Sequence, residues 1–354
     1  MSTLDRYLAL TVVVGTAIVL SVLLSLTGFI NFIYQLDDVG SGSYTMSGAA
    51  IYTLMTLPLA AYDMLPIAAL LGGLLGLGGL ASHSELVAMR AAGISPWRLA
   101  RGVAVAGLVI TLVNGALGEF IAPPMERYAK SMRALALHKQ LSVAEGQGGW
   151  VRDGNIIVNI DRIIGDGRTG EVSIFTVDGP RLVRMGVART AGFDEGQRWN
   201  LEDYRETRFS DEGTKSDVAR SHVEPTRLNA DILGLSVVDP DTLQSVNLWE
   251  YVSYLRSNGL NSERYELALW SRIANIASAL VMALLALPFV FGSLRSAGAG
   301  QRILVGVLLG VGWFVGNNAL SNSGTLYGFN PFVTAWLPVT ILSLVTAVAL
   351  HRVR

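Results

Sequence analysis

Residues 8–33, "LALTVVVGTAIVLSVLLSLTGFINFI", carry no charge over more than the ~20 residues that a helix needs to cross a bilayer. The run is too long for the apolar part of a signal peptide and no small-residue cleavage site follows it, so it reads as a retained first span. The whole chain agrees with that reading. Over 354 residues, 51% are hydrophobic and 16% charged, and the mean hydropathy is +0.43. Such a composition is too apolar for an ordinary soluble fold and points to a polytopic membrane protein. A net charge of −1 leaves no basic field for nucleic acid, and the absence of cysteine removes disulfides, Cys-ligated metals and thiol chemistry.

Five more segments meet the same standard, at residues 63–80, 99–121, 267–291, 303–320 and 332–350. Ahead of the second span, residues 46–62 add an apolar run that Pro58 and Pro66 punctuate, and its first part is expected to lie along the membrane interface. Arg6, Arg90, Arg98, Arg101, Arg295, Arg302, Arg352 and Arg354 all flank one side, whereas residues 35–47 and 321–331 hold no Lys or Arg. By the positive-inside rule both termini are expected in the cytoplasm, in a multi-pass protein.

Between the third and fourth spans the character of the chain changes. "GGWVRDGNIIVNIDRII" and "EVSIFTVDGPRLVRMGVARTAGFDEGQRWNLEDYRETRFS" show short β-branched and aromatic runs with partial alternation. Turn pairs such as Asp153-Gly154 and Asp178-Gly179 separate them. The expected fold class is therefore membrane α-helical plus β: six transmembrane helices with an inserted periplasmic β-jelly-roll, or sandwich-like, domain. The expected domains are residues 1–133, 134–264 and 265–354. The helical periodicity of "PPMERYAKSMRALALHKQLS" carries the third span beyond the membrane as a helix, and a short helix stopped at Gly259 precedes the fourth.

Little in the chain points to catalysis. "GLLGLGG" at residues 73–79 lacks the Lys and Ser/Thr of a phosphate-binding loop. The pairs Gly72/Gly76, Gly306/Gly310 and Gly312/Gly316 suit close helix packing better than a ligand. His83, His138, His222 and His351 are scattered, so neither a catalytic residue nor a metal site is expected. Asp63 and Glu119 are ionisable groups near the membrane, either functional or marking its outer boundary. Lys130 and Arg133, three apart on the helix leaving the third span, could hold lipid phosphates or simply face water.

A short, well-bounded helix lies between the second and third spans at residues 84–93. Ser82 and Glu85 fit a capping box, Gly93 supplies a stop, and Ser95-Pro96 restarts a helix. At 100° per residue Glu85, Leu86, Met89 and Gly93 share one side, with Arg90 at its edge. That side either docks a partner or packs under the bundle.

"SELVAMRAAGIS" at residues 84–95, "GEFIAP" at 118–123, "LDRY" at 4–7 and "RYELALWSRI…FVFGSLRS" between 264 and 296 resemble the lipopolysaccharide-export permeases of the LptF/LptG family, nearer the G type. The likeness covers essentially the whole chain, with specific motifs and a weaker match in the β domain. It implies a non-enzymatic subunit of an ABC transporter in the Gram-negative inner membrane, serving outer-membrane biogenesis. The implied partners are a homologous LptF-type permease, a cytoplasmic LptB-type ATPase dimer, a single-span LptC-type jelly-roll protein, an LptA-type periplasmic bridge and lipopolysaccharide itself. ATP and Mg would be bound by the ATPase, with no cofactor on this chain.

The resemblance makes the short helix a coupling helix, with Glu85 as polar anchor, Leu86 and Met89 filling the ATPase groove, Arg90 at the rim and Gly93 as the stop. Lipid contacts are expected at Lys130 and Arg133 first, then at Asn31 and Asp63, and the resemblance implies a permease–permease seam at Gly28, Gly306 and Gly310. Where some G-type members carry lysines on the first two spans, this chain has Asn31, Asp37, Asp38 and Leu59; Ser293 replaces a common proline. The alternative is a secondary transporter for a smaller solute, which would predict inverted repeats and broken midplane helices. A membrane-anchored enzyme would need a convergent catalytic set within residues 134–264.

Overall fold

The computed structural model describes residues 3–137, 150–153, 155–161, 163–164, 168–179, 181–193, 198–210, 213–225, 240, 243–291 and 298–352. Gly154, His138, Ser293 and Arg295 lie outside them. Among the described residues six helices are long and apolar enough to cross a membrane, with a β domain between the third and fourth of them. Contacts divide the chain into two units. The first comprises Met1–Val39, Thr45–Ala129 and Glu263–Arg354, and the second Gly40–Tyr44 and Lys130–Ser262.

In the helical unit, α1 is Thr3–Leu36, α2 Met46–Ser82, α3 Glu85–Ala91 and α4 Pro96–Ala116. A π-helical turn, Leu117–Ile121, joins α4 to α5, Ala122–Leu137, which carries the third span onward as expected. The expected interfacial segment before the second span is instead part of one continuous helix: α2 runs through both Pro58 and Pro66. Thr45 caps its start, the hydroxyl accepting from the Gly48 N–H at 3.2 Å. The run is apolar on all sides because α2 is the centre of the bundle, packed against α1, α4, and the later helices α7, Glu263–Phe291, and α8, Ala299–Tyr327. The last span, α9, is Pro331–Arg352 and packs on α7 and α8. The core holds Leu8, Leu70, Leu74, Leu77, Leu99 and Leu287, all fully buried. Between α1 and α2 the backbones nearly touch: a methyl on Gly72 would collide with the main chain of Thr16, and one on Gly76 with that of Thr11.

The β unit contains an antiparallel sheet and, before the fourth span, the helix α6, Ser245–Ser257. Its strands are β1 Trp150–Asp153, β2 Ile156–Ile160, β3 Ile163–Ile164, β4 Arg168–Thr169, β5 Val172–Asp178, β6 Arg181–Ala188, β7 Thr190–Phe193, β8 Arg198–Ser210 and β9 Gly213–Pro225. The register shows that β2–β3, β4–β5 and β6–β7 are single strands, each broken once, so the sheet is an up-and-down meander. The breaks line up. Extending the registers puts Asp161, Glu171, Arg189, Asp203 and Arg220 in one row across the sheet, with Asp203 at φ 51° and its carboxylate 2.7 Å from Arg189.

This crease changes which side chains face inward. Thr169 and Val172, Ala188 and Ala191, Leu201 and Tyr204 are all buried although each pair is three residues apart, where an unbroken strand would put them on opposite faces. Both halves of the sheet therefore turn their apolar side the same way, as at a sandwich corner. At Asp178-Gly179 the chain turns with Gly179 at φ 58°, as its turn chemistry predicts.

Candidate functional site

The short helix α3 sits where α2 ends and α4 begins. Its start differs from the expected capping box: the Ser82 hydroxyl donates back to the Gly79 carbonyl at 2.8 Å, and α2 continues to that residue. Ser84, at φ 63°, makes the turn and caps α3 without a side-chain bond. Glu85 is thereby left to another partner. The Tyr7 hydroxyl on α1 donates to its Oε2 at 2.8 Å.

The end of α3 is closed as expected. Gly93 has φ 85°, its N–H donates to the Arg90 carbonyl, and the Ile94 N–H donates to that of Met89. Only a residue that tolerates the left-handed region closes a helix in this way. Ser95 then accepts from the Arg98 N–H at 3.3 Å, and Pro96 opens α4.

Of the two readings left open by the sequence, the bundle claims the side bearing Leu86 and Met89. Leu86 is 2% exposed and belongs to the core, and Met89 packs half-buried against it. Leu86 thus fills a place in its own bundle, and Met89 leaves part of its side chain exposed. Arg90 places its guanidinium 5.8 Å from the ring centre of Phe291, the last residue of α7. The exposed side of α3 consists of Val87, Ala88 and Ala91, followed by Ala92 and Gly93 and then by Trp97 on α4.

Nearby charges fasten the same end of the bundle. Asp5, buried on α1, lies 3.2 Å from Arg98 on α4. Arg302, at the start of α8, is 3% exposed and lies against Gly78, where a methyl would strike its side chain. An apolar groove of about 480 Å³ between α1 and α2 begins at Tyr7 and is lined farther along by Val14, Ile18 and Leu75.

The glycines expected at a partner seam face inward instead. A methyl on Gly28 would meet Leu57, one on Gly306 would meet Leu71 and Leu74, and one on Gly310 would meet Ile67, all on the chain's own α2. By contrast, Gly312 and Gly316 on α8 have nothing within 4 Å of such a methyl. The four expected lipid positions divide between the units: Asn31, half-buried, and Asp63, exposed, are in the helical unit, and Lys130, exposed, and Arg133, half-buried, are in the β unit.

One group that sequence reasoning passed over is Arg272, 7% exposed within α7, with Glu119 of the π-helical turn 4.0 Å away. The Tyr62 hydroxyl donates to the Arg272 carbonyl at 3.1 Å, and the Asn275 amide donates to the Tyr62 carbonyl at 3.3 Å. A single arginine inside an otherwise apolar span was the signal available for it. Among the described residues no group of three or more His, Asp and Glu could hold a metal ion.

Six spans, an inserted β domain and a helix clamped at one end of the bundle define a multi-pass membrane protein with an extramembrane β domain. Residues 6–352 match the family described as "Lipopolysaccharide export system permease LptF/LptG", and the chain belongs to that family. It is 38% identical over 353 residues, 99% of this chain and 98% of the relative, to the lipopolysaccharide export system permease protein LptG of Escherichia coli strain K12. It is 33% identical over 339 residues, 95% of each chain, to the protein of the same description from Haemophilus influenzae.

Proposed function

We propose that this chain is a permease subunit of an ABC transporter in the bacterial inner membrane. It takes lipopolysaccharide from the outer leaflet and passes it toward a periplasmic bridge, and a separate ATPase that binds ATP and Mg powers it. Both termini and α3 are cytoplasmic in this reading, and the β unit is periplasmic. One observation carries it: α3 is fastened to the bundle on one side and bare on the other. Leu86 enters the core, Glu85 holds α1 through Tyr7, and Arg90 holds the end of α7 through Phe291. A push on the bare side therefore reaches several spans at once.

The bare side, Val87, Ala88 and Ala91 with Trp97, is small and apolar and suits a groove on the ATPase. The second permease, of LptF type, meets α1 and α8, the least buried spans of the bundle. On α8 that face includes Gly312 and Gly316, and on α1 it includes the apolar groove beside Leu75. Lys130 and Arg133 contact lipid phosphate, with Asn31 and Asp63 along the path, and LptC-type and LptA-type proteins receive the lipid.

Affinity purification of the full chain in mild detergent tests this. An ATPase subunit is expected to co-purify, and Val87→Asp, which buries a charge only when the partner is bound, is expected to abolish that association while the chain stays folded. Recovery of the chain with no ATPase would sink the transporter reading. Unchanged association of Val87→Asp would move the docking surface elsewhere.

A further inference from the structure

In two of the spans a proline interrupts the backbone ladder beside Tyr62, and one helix, α7, contacts both places. Pro66 has no N–H, so the Tyr62 carbonyl four residues earlier in α2 loses its helical donor. The Asn275 amide of α7 supplies a donor in its place, at 3.3 Å. In the third span Pro123 and Pro124 likewise withdraw the donors for the carbonyls of Glu119 and Phe120. The ladder slips there into the π-helical turn, with the Ala122 N–H donating to the Leu117 carbonyl. Glu119 projects from that turn toward Arg272, again on α7 and one turn from Asn275.

Tyr62 joins the two breaks, its hydroxyl bonded to the Arg272 carbonyl and its ring lying over Gly118, where a methyl would collide with it. Asn114, one turn before Gly118, is fully buried, and among the described residues neither atom of its amide finds a partner. A buried amide without partners is unfavourable in any single fixed packing.

We infer that Asn275 and Arg272 are positioning residues, and that α7 is the strut about which α2 beyond Pro66 and the third span beyond its π-helical turn bend. The inference rests on the permease reading for its purpose, since it makes the spans jointed rather than rigid levers.

The natural absence of cysteine allows the bend to be read directly with spin-label pairs in the full chain in lipid nanodiscs. Leu54→Cys and Ser82→Cys bracket Pro66 together with Pro58 on α2 and lie ~42 Å apart along a straight helix, so it is the Pro66→Ala variant that assigns a change to Pro66. Leu10→Cys and Ile33→Cys on the proline-free α1 serve as control. Asn275→Leu is expected to shorten and broaden the α2 distance distribution and leave the α1 pair unchanged. Adding Pro66→Ala, which restores the missing N–H, is expected to return the α2 distribution toward the wild-type width. The proposal is overturned if Asn275→Leu leaves the α2 pair as in wild type, if the double variant stays as broad as the single, or if the α1 pair broadens equally. None of these distances depends on an ATPase, so a failure of the permease reading would be seen separately, in the co-purification.

Discussion

Tyr7 and Leu86 fix how α3 meets the spans, one by a hydrogen bond and one by burial. Tyr7→Phe removes only the hydroxyl that Glu85 accepts from, and at this solvent-exposed site should loosen the tie only slightly. Leu86→Ala empties a site in the core and should destabilise the chain by about 2–5 kcal/mol. Thermal unfolding of the purified chain separates the two: a large fall in Tm for Leu86→Ala and a small one for Tyr7→Phe. Equal and negligible shifts would mean that α3 hangs free of the bundle.

At the scale of an element, strand β8 shows how charge is managed beside the crease. Glu206 is buried on it and pairs with Arg208, and Arg184 on β6 lies 3.5 Å away. Burial pushes its carboxyl pKa up, but the hydrogen bond from Arg208 and the nearby Arg184 outweigh that and hold it below the ordinary 4.5. The folded state therefore binds this proton less readily than the unfolded state does. Its contribution to stability is complete above about pH 4.5 and is lost as pH falls through the lower folded value. Amide exchange at β6 and β8, corrected for intrinsic rates, should accelerate on acidification through that range, and Glu206→Gln should flatten the response. An acid response in Glu206→Gln equal to that of wild type would assign it to another group.

Elements were legible in the sequence where one residue type acts alone. Hydropathy marked the six spans, alternation and turn pairs marked the β insertion, and Gly93 marked the end of α3. Features that depend on a second element were not. The Ser82–Glu85 spacing fits a capping box, but Tyr7, distant in sequence, takes the carboxylate. Pro58 and Pro66 read as punctuation ahead of the second span, yet α2 continues through both, with Asn275 of another span donating to the carbonyl that Pro66 leaves without its helical donor.

Across the whole molecule the same lesson applies to the glycines of α8, whose four-residue spacing says that two helices approach closely but not which two. Gly306 and Gly310 face the chain's own α2, and the face bearing Gly312 and Gly316 remains open beside exposed Val311 and Val315. The two faces make opposite predictions for one substitution. Gly306→Leu forces a side chain into Leu71 and Leu74 and should reduce the yield of folded chain even when it is expressed alone. Gly312→Leu should leave the isolated chain's Tm unchanged and weaken its pairing with the second permease. A photo-crosslinker at Val315 should trap that partner and one at buried Leu71 should not. If Gly312→Leu pairs as well as wild type and Val315 traps only lipid, α8 faces the bilayer and the second permease sits against another helix of the bundle.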